Sequence, residues 1–217
     1  PKAIFGLFEA NTINEDDISI QKKGKEIGVF RTLRQQLKKR EGIPNIALAD
    51  FIAPKETNKT DYMGAFCVAI YGAQELADSC KVKEDDYNAI ILKALADRFA
   101  EAFAEWAHKK VRCELWGYAK KEELDNEALI SEKYQGIRPA PGYPSCPDHR
   151  GKLAIWQLLD VDKNIDLSLT ESLAMWPTAS VSGFYFSHPE SHYFQLGRVD
   201  KDQVEAYSKE RDESVDE

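Results

Sequence analysis

An excess of basic charge is the first thing missing from this 217-residue sequence: 37 Asp and Glu against 29 Lys and Arg leave a formal net charge of −8. Proteins that bind nucleic acid normally carry the opposite field, so the balance argues against that class. Long apolar runs are missing too. The longest lies around residues 64–71, too short to span a bilayer. The first residues lack the charged, apolar and small-residue zones of a signal peptide. The four cysteines, at 67, 80, 113 and 146, form no C-x-x-C pair. Cys67 and Cys113 stand in apolar surroundings and read as buried thiols in a reducing, cytoplasmic setting. There is no G-x-S-x-G for a hydrolase nucleophile. The absence of G-x-x-x-x-G-K-[ST] and G-x-G-x-x-G argues against a nucleotide triphosphatase and a Rossmann dehydrogenase. No internal repeat or low-complexity tract occurs.

What is present is enough apolar residue, 43%, to build a substantial core in one domain or two small ones. The chain opens on a strand-like run with neither cap nor leader, and the expectation is a piece of a larger protein. Residues 3–8 and 17–21 read as strands, and 26–30 as a third strand or the entry to a helix. A helix is expected over 31–40, closed by Gly42 and Pro44. It would place Arg31, Arg34 and Lys38 on one face. Residues 46–52 read as a strand and 55–60 as a polar loop. The run 63–71 is apolar on both faces, the signature of a strand or short segment buried on both sides, and belongs in the core. From 84 to 115, Tyr87, Ile90, Ile91, Ala94, Leu95, Phe99, Ala102, Phe103 and Trp106 recur at helical spacing without Pro or Gly. They predict a long helix packed across a sheet by that stripe. A shorter helix over 126–134, capped by Asp125 or Asn126, ends at Gly136. Asp148 is placed to cap another, carrying Leu153 to Leu159. The stretch 167–175 is ambiguous. Residues 180–186 and 193–199 read as a hairpin-type pair. Asp200 and Gln203 resemble a capping box for a helix to about Lys209, and the acidic end, 210–217, is expected to fray. Strands early and late around a long helix give an α+β fold: a mainly antiparallel twisted sheet, with the long helix and several shorter ones on one side.

Between two of those helices lies Arg138-Pro-Ala-Pro-Gly-Tyr-Pro-Ser-Cys-Pro-Asp-His149, with prolines at 139, 141, 144 and 147. It can be neither helix nor central strand. The amide groups of Ala140, Gly142 and Tyr143, with the five-donor guanidinium of Arg138, are the equipment of a carboxylate or phosphate clamp. Cys146, His149, His188 and His192 have zinc-compatible spacings. Pro147 and Pro189 fix those turns, however, so the four need not converge. The other reading is histidines that cap or pack.

The proline-rich loop resembles the signature of the C-terminal reactivation domain of cobalamin-dependent methionine synthases. So do Leu48-Ala-Asp-Phe-Ile-Ala-Pro54, Asp61-Tyr-Met-Gly-Ala-Phe66, Lys93-Ala-Leu-Ala-Asp-Arg98, Ala100-Glu-Ala-Phe-Ala-Glu105 and Leu169-Thr-Glu-Ser-Leu-Ala-Met-Trp-Pro177. The blocks run in one order over nearly the whole chain. The resemblance implies that residues 1–217 are one activation domain of a larger multidomain methyltransferase, with the N-terminal part of the domain missing. Such a domain binds S-adenosylmethionine and presents its methyl group for reductive methylation of cob(II)alamin. Carried over by position, Arg138 holds the ligand's carboxylate, the backbone at Ala140 and Gly142 gives polar contacts, and Tyr143, Tyr193 and Phe194 line the site. Phe194 stands where a Tyr can stand, and the resemblance implies that the family's ligand-contacting aspartate would fall upstream of Pro1. The implied partners are the cobalamin-binding domain of the same enzyme and a flavodoxin or flavoprotein reductase. The resemblance also implies that cobalamin is held by another domain of the full-length enzyme and that zinc belongs only to that full-length enzyme; no D-x-H-x-x-G occurs in this sequence. A different reading is a docking module without a ligand of its own, whose basic face of Arg31, Arg34 and Lys38 receives an acidic redox partner.

Overall fold

The computed structural model describes residues 1–211, the last two by backbone alone. Apart from that backbone, the acidic end expected to fray lies outside the described residues. Strands β1 (Lys2–Ile13), β2 (Asp17–Lys22), β3 (Lys25–Arg31), β4 (Asp61–Ala69) and β7 (Ser180–Tyr185) form one sheet in the order β3-β2-β1-β4-β7. Every pairing in it is antiparallel. A small second sheet joins β5 (Ser168–Leu169) to β6 (Met175–Trp176), which settles the ambiguous stretch as a hairpin.

Helices lie on both faces of the main sheet rather than on one, and β4 shows why. Its odd positions, Met63, Ala65, Cys67 and Ala69, enter a core with Ile18, Ile20 and Phe30 from β2 and β3. That core is closed by α4 (Gly151–Leu159) and α5 (Val161–Ile165). Its even positions Phe66 and Val68 turn to the other face and meet Ala104, Val111 and Tyr185. A strand that is buried at every position from Met63 to Ala69 therefore separates two layers. Against that second face lies α2 (Asp86–Lys110), N-capped by the Asp85 side chain, which accepts from Asn88 N. The helix runs on into a π turn at Val111–Leu115.

The long helix is where it was expected, but it packs by a different face. Ala89, Ala96, Ala100, Ala104 and His108 are its buried residues. Phe99 is 63% exposed and Ile90 67%, and Tyr87, Leu95 and Trp106 also face outward. Alanines let the helix axis approach the sheet closely, which bulky side chains would prevent. Helix α1 (Ala73–Val82) packs beside α2 and has no counterpart in the sequence reading.

Three further expectations are overturned. Residues 32–40 are not helical. Gln35 N donates to Ile46 O at 3.0 Å, and the Arg34 guanidinium donates to Asp16 at 2.8 Å and to Asp50 at 2.7 and 2.8 Å. These contacts hold the segment extended against its neighbours, outweighing a helical pattern. Arg31 pairs with Asp17 at 2.7 Å. Arg31, Arg34 and Lys38 thus form no common helical face, and the first two are neutralised. Residues 46–52 hold a 3₁₀ turn, Leu48–Phe51, not a strand. Residues 193–199 are irregular. They lie along the proline-rich loop, through Leu196 N to Pro144 O, instead of pairing with β7.

Smaller differences follow the same logic. Helix α3 (Asn126–Ile130) is capped by Asp125 as expected but stops early, with Glu132 at φ 53°. Asp148 accepts from Arg150 N ahead of α4. Asp200 and Gln203 form no box before α6 (Lys201–Arg211). Instead Asp200 N donates to Gln36 and the Gln203 amide donates to Arg34 O. Cys67 is buried, whereas Cys113 is only partly so. Among the described residues no helix is long and apolar enough to cross a membrane.

Candidate functional site

The proline-rich loop is fastened to the edge of the main sheet. Phe184 N donates to Pro139 O at 2.9 Å, and Ile137 and Phe186 exchange hydrogen bonds at 3.0 Å. Gly183 makes this possible, because a Cβ there would stand 2.7 Å from Pro139 O and 2.9 Å from the Phe66 ring. Between the loop, α2 and the irregular segment after His192 opens a cleft of about 440 Å³. Arg138, Ala140, Tyr143, Tyr193 and Phe194 all line it. Gly142 does not. It takes φ +101° at the loop's turn, where its N–H donates to Cys146 O at 2.8 Å.

The expected trio of amide donors is thereby reduced. Tyr143 N also turns inward, to Ala140 O at 3.2 Å. Among the described residues only the Ala140 N–H of the three meets no protein acceptor. The loop's own turn closes two donors that the sequence showed as available.

Arg138 is held on several sides. Its backbone N–H donates to the Tyr193 hydroxyl at 2.9 Å. Its Nη1 donates to Glu105 Oε2 at 2.7 Å and to the Tyr134 hydroxyl at 2.8 Å, with His108 Nδ1 at 3.4 Å. Burial works against the guanidinium's charge, but Tyr134, Glu105 and Tyr193 around it more than offset this, so its pKa lies above the ordinary arginine value. His108 is driven the other way, well below the usual imidazole range, by burial first and then by Arg112 and Arg138. It is neutral, and its Nδ1 accepts from the arginine. Burial also raises the pKa values of Tyr134 and Tyr193, which keeps both phenols protonated.

Behind this layer stands a buried ion pair. Arg112, wholly inaccessible, donates through Nε and Nη2 to Glu122 at 2.7 and 2.8 Å and lies 3.9 Å from the centre of the Tyr134 ring. The His108 ring stacks on Tyr185, and Tyr185 on Phe66, with centroids 4.9 and 4.5 Å apart.

Sequence reasoning overlooked Glu101 and Glu132, which line the cleft, and Glu105, which holds Arg138. The signal was available: Glu101, Glu105, His108 and Arg112 follow one another at i, i+4, i+7 and i+11 on one side of the long helix. The four spaced Cys and His residues go elsewhere. His188 and His192 pack against Phe51 with centroids 6.1 and 5.7 Å away, and His149 lies 3.1 Å from Lys152 Nζ. Among the described residues no group of three or more His, Cys, Asp or Glu is placed to hold a metal ion.

An arginine held at the base of a cleft, a free amide beside it and two tyrosines at the rim suit a ligand that joins a carboxylate to a cation or a flat ring. Comparison with known proteins bears on which ligand. The family model described as "Vitamin B12 dependent methionine synthase, activation domain" matches residues 1–212. Among solved structures, the chain is similar to a crystal structure of the MetH reactivation domain bound to AdoHcy, with 52% identity and a TM-score of 0.95. The match covers 99% of this chain and 66% of that one, so the chain spans about two thirds of its relative's length.

Proposed function

The chain belongs to the activation-domain family of vitamin B12 dependent methionine synthases, and we propose that its cleft binds S-adenosylmethionine and presents the methyl group for transfer. In this reading the chain is one part of a larger cytoplasmic methyltransferase. Its own task is to return the enzyme's inactive cofactor to service. The observation that carries the reading is Arg138, fixed at the base of the cleft between exposed Tyr143 and the hydroxyl-anchored Tyr193.

The cleft's volume of about 440 Å³ lies within the usual range for small-molecule sites. Arg138 meets the ligand's carboxylate with two parallel N–H donors. Ala140 N–H supplies a further polar contact. Tyr143 and Tyr193 flank the sulfonium, where a cation over a ring gains about 0.5–2 kcal/mol. Phe194 closes the apolar side. Methyl transfer from sulfur needs no proton moved by the residues around the cleft. Their contribution is placement of the methyl carbon toward the incoming nucleophile. When bound by another part of the enzyme and reduced by one electron from a flavodoxin or flavoprotein reductase, cobalamin would supply the cobalt nucleophile for this transfer, S-adenosylhomocysteine being the product left in the cleft.

Calorimetry with S-adenosylmethionine and S-adenosylhomocysteine tests this. Each charge-assisted bond contributes about 1.5–3 kcal/mol, so Arg138→Ala is expected to weaken both ligands by about 10- to 100-fold. Equal binding by variant and parent removes Arg138 from the site.

A further inference from the structure

We infer that Glu105 is the positioning residue of the arginine clamp, fixing the Arg138 guanidinium so that one edge is presented to a ligand carboxylate. The inference rests on the cleft being the S-adenosylmethionine site, and it concerns how that site achieves its geometry.

Glu105, Tyr134 and His108 all lie on the same nitrogen, Nη1, at 2.7, 2.8 and 3.4 Å. Among the described residues Nε and Nη2 of Arg138 meet no protein acceptor, which leaves them as the pair of parallel donors that a carboxylate takes side-on. A guanidinium is planar, so securing one nitrogen from behind sets the direction of the other edge.

Glu105 is itself anchored. Its second oxygen, Oε1, lies 3.7 Å from Arg112 Nη1, and Arg112 is tied by two hydrogen bonds to Glu122. The sequence Arg138, Glu105, Arg112, Glu122 is therefore a line of alternating charge running from the cleft into the interior. Its inner end is the Arg112–Glu122 pair, whose side chains are 0% and 6% exposed. Because Glu105 stands between two guanidinium groups, its charge is divided between them, and Arg138 keeps positive character toward the cleft. Helix α2 is the rigid element that holds the carboxylate, one turn beyond the cleft-lining Glu101.

The opposite role is also chemically coherent: Glu105 as a resident counter-ion that a ligand carboxylate must compete with. The two roles differ in sign. Binding is measured for S-adenosylmethionine and for its decarboxylated analogue, which keeps adenosine and sulfonium but lacks the anion. If Glu105 positions the clamp, Glu105→Ala weakens S-adenosylmethionine by about tenfold or more and leaves the analogue within about twofold. Glu105→Gln, whose amide oxygen still accepts from Nη1, stays within about threefold of the parent for both ligands.

Tighter or unchanged S-adenosylmethionine binding by the Ala variant overturns the inference, and so does an equal loss for both ligands. Should Glu105→Ala not fold, Tyr134→Phe removes one of the same three contacts. It is expected to give the same selective loss at about threefold, and a loss shared by both ligands, or none, overturns the inference equally. A parent protein that binds neither adenosyl ligand refutes the assignment of the cleft itself, whereas normal parent binding without a carboxylate-selective loss refutes only the role of Glu105.

Discussion

Replacing Glu122 by Gln should destabilise the protein far more than a one-atom change suggests. The Arg112 side chain is wholly inaccessible and that of Glu122 only 6% exposed, with two hydrogen bonds of 2.7 and 2.8 Å between them. Glutamine keeps the shape and one acceptor but removes the negative charge, leaving Arg112 with Glu105 at 3.7 Å, already engaged by Arg138 at 2.7 Å. A buried cation stripped of its partner costs about 3–5 kcal/mol, a large share of the roughly 5–15 kcal/mol that keeps a protein folded. At about 2–4 °C per kcal/mol for a domain of this size, the melting temperature should fall by about 6–20 °C. Urea unfolding followed by circular dichroism measures the free energy directly. The double variant Arg112→Met, Glu122→Leu supplies the control: with both charges gone, nothing is left unpaired, and at least half the lost stability should return. A loss below about 1 kcal/mol for Glu122→Gln, or a double variant as unstable as the two single ones summed, would refute the reasoning.

Other perturbations test neighbouring claims. The unfolded chain titrates His108 near 6.5, while the folded chain resists protonating it. Stability should therefore fall as pH drops below about 6.5, by up to about 1.4 kcal/mol per unit. His108→Gln should lose that slope in urea titrations at pH 5.5 and 7.5, and equal slopes would contradict it. Gly183→Ala puts a methyl 2.7 Å from Pro139 O. It should displace the loop at a cost of about 1–3 kcal/mol and weaken S-adenosylhomocysteine in calorimetry. On α2, Phe99→Glu should change stability by no more than about 0.5 kcal/mol, whereas Ala100→Leu, at a site 1% exposed, should cost about 1–3 kcal/mol. Reversed sensitivities in thermal unfolding would mean that the helix packs by its aromatic stripe after all.

How much was legible from residues alone depended on how local the cause was. Strand β4 declared itself because burial on both faces leaves no polar position to alternate with. Asp125 did so because a side-chain cap is a contact between near neighbours. The long helix was legible in extent but not in orientation. Hydropathy marks Phe99 and Trp106 as inward, while the distance to the sheet selects Ala96, Ala100 and Ala104. Residues 32–40 were misread because Arg34 and Gln35 answer to Asp16, Asp50 and Ile46, partners no local pattern includes. In the cleft, the prolines announced a fixed loop and Arg138 a clamp. What stayed hidden was which donors the loop turns upon itself, and that Glu105 and Arg112, though evenly spaced along the long helix, join Arg138 to Glu122 on other elements.

The alternation of β4 has a use beyond packing. Phe66 faces the stack of Tyr185 and His108 that backs Arg138, while Cys67, one residue on, faces the opposite core. Neighbouring positions on one strand therefore belong to separate tasks. Changes at its odd residues act on the fold's resistance to unfolding. Changes at its even residues reach the clamp through three stacked rings. A protein built this way can be made hardier from one side of a single strand while its ligand preference is adjusted from the other.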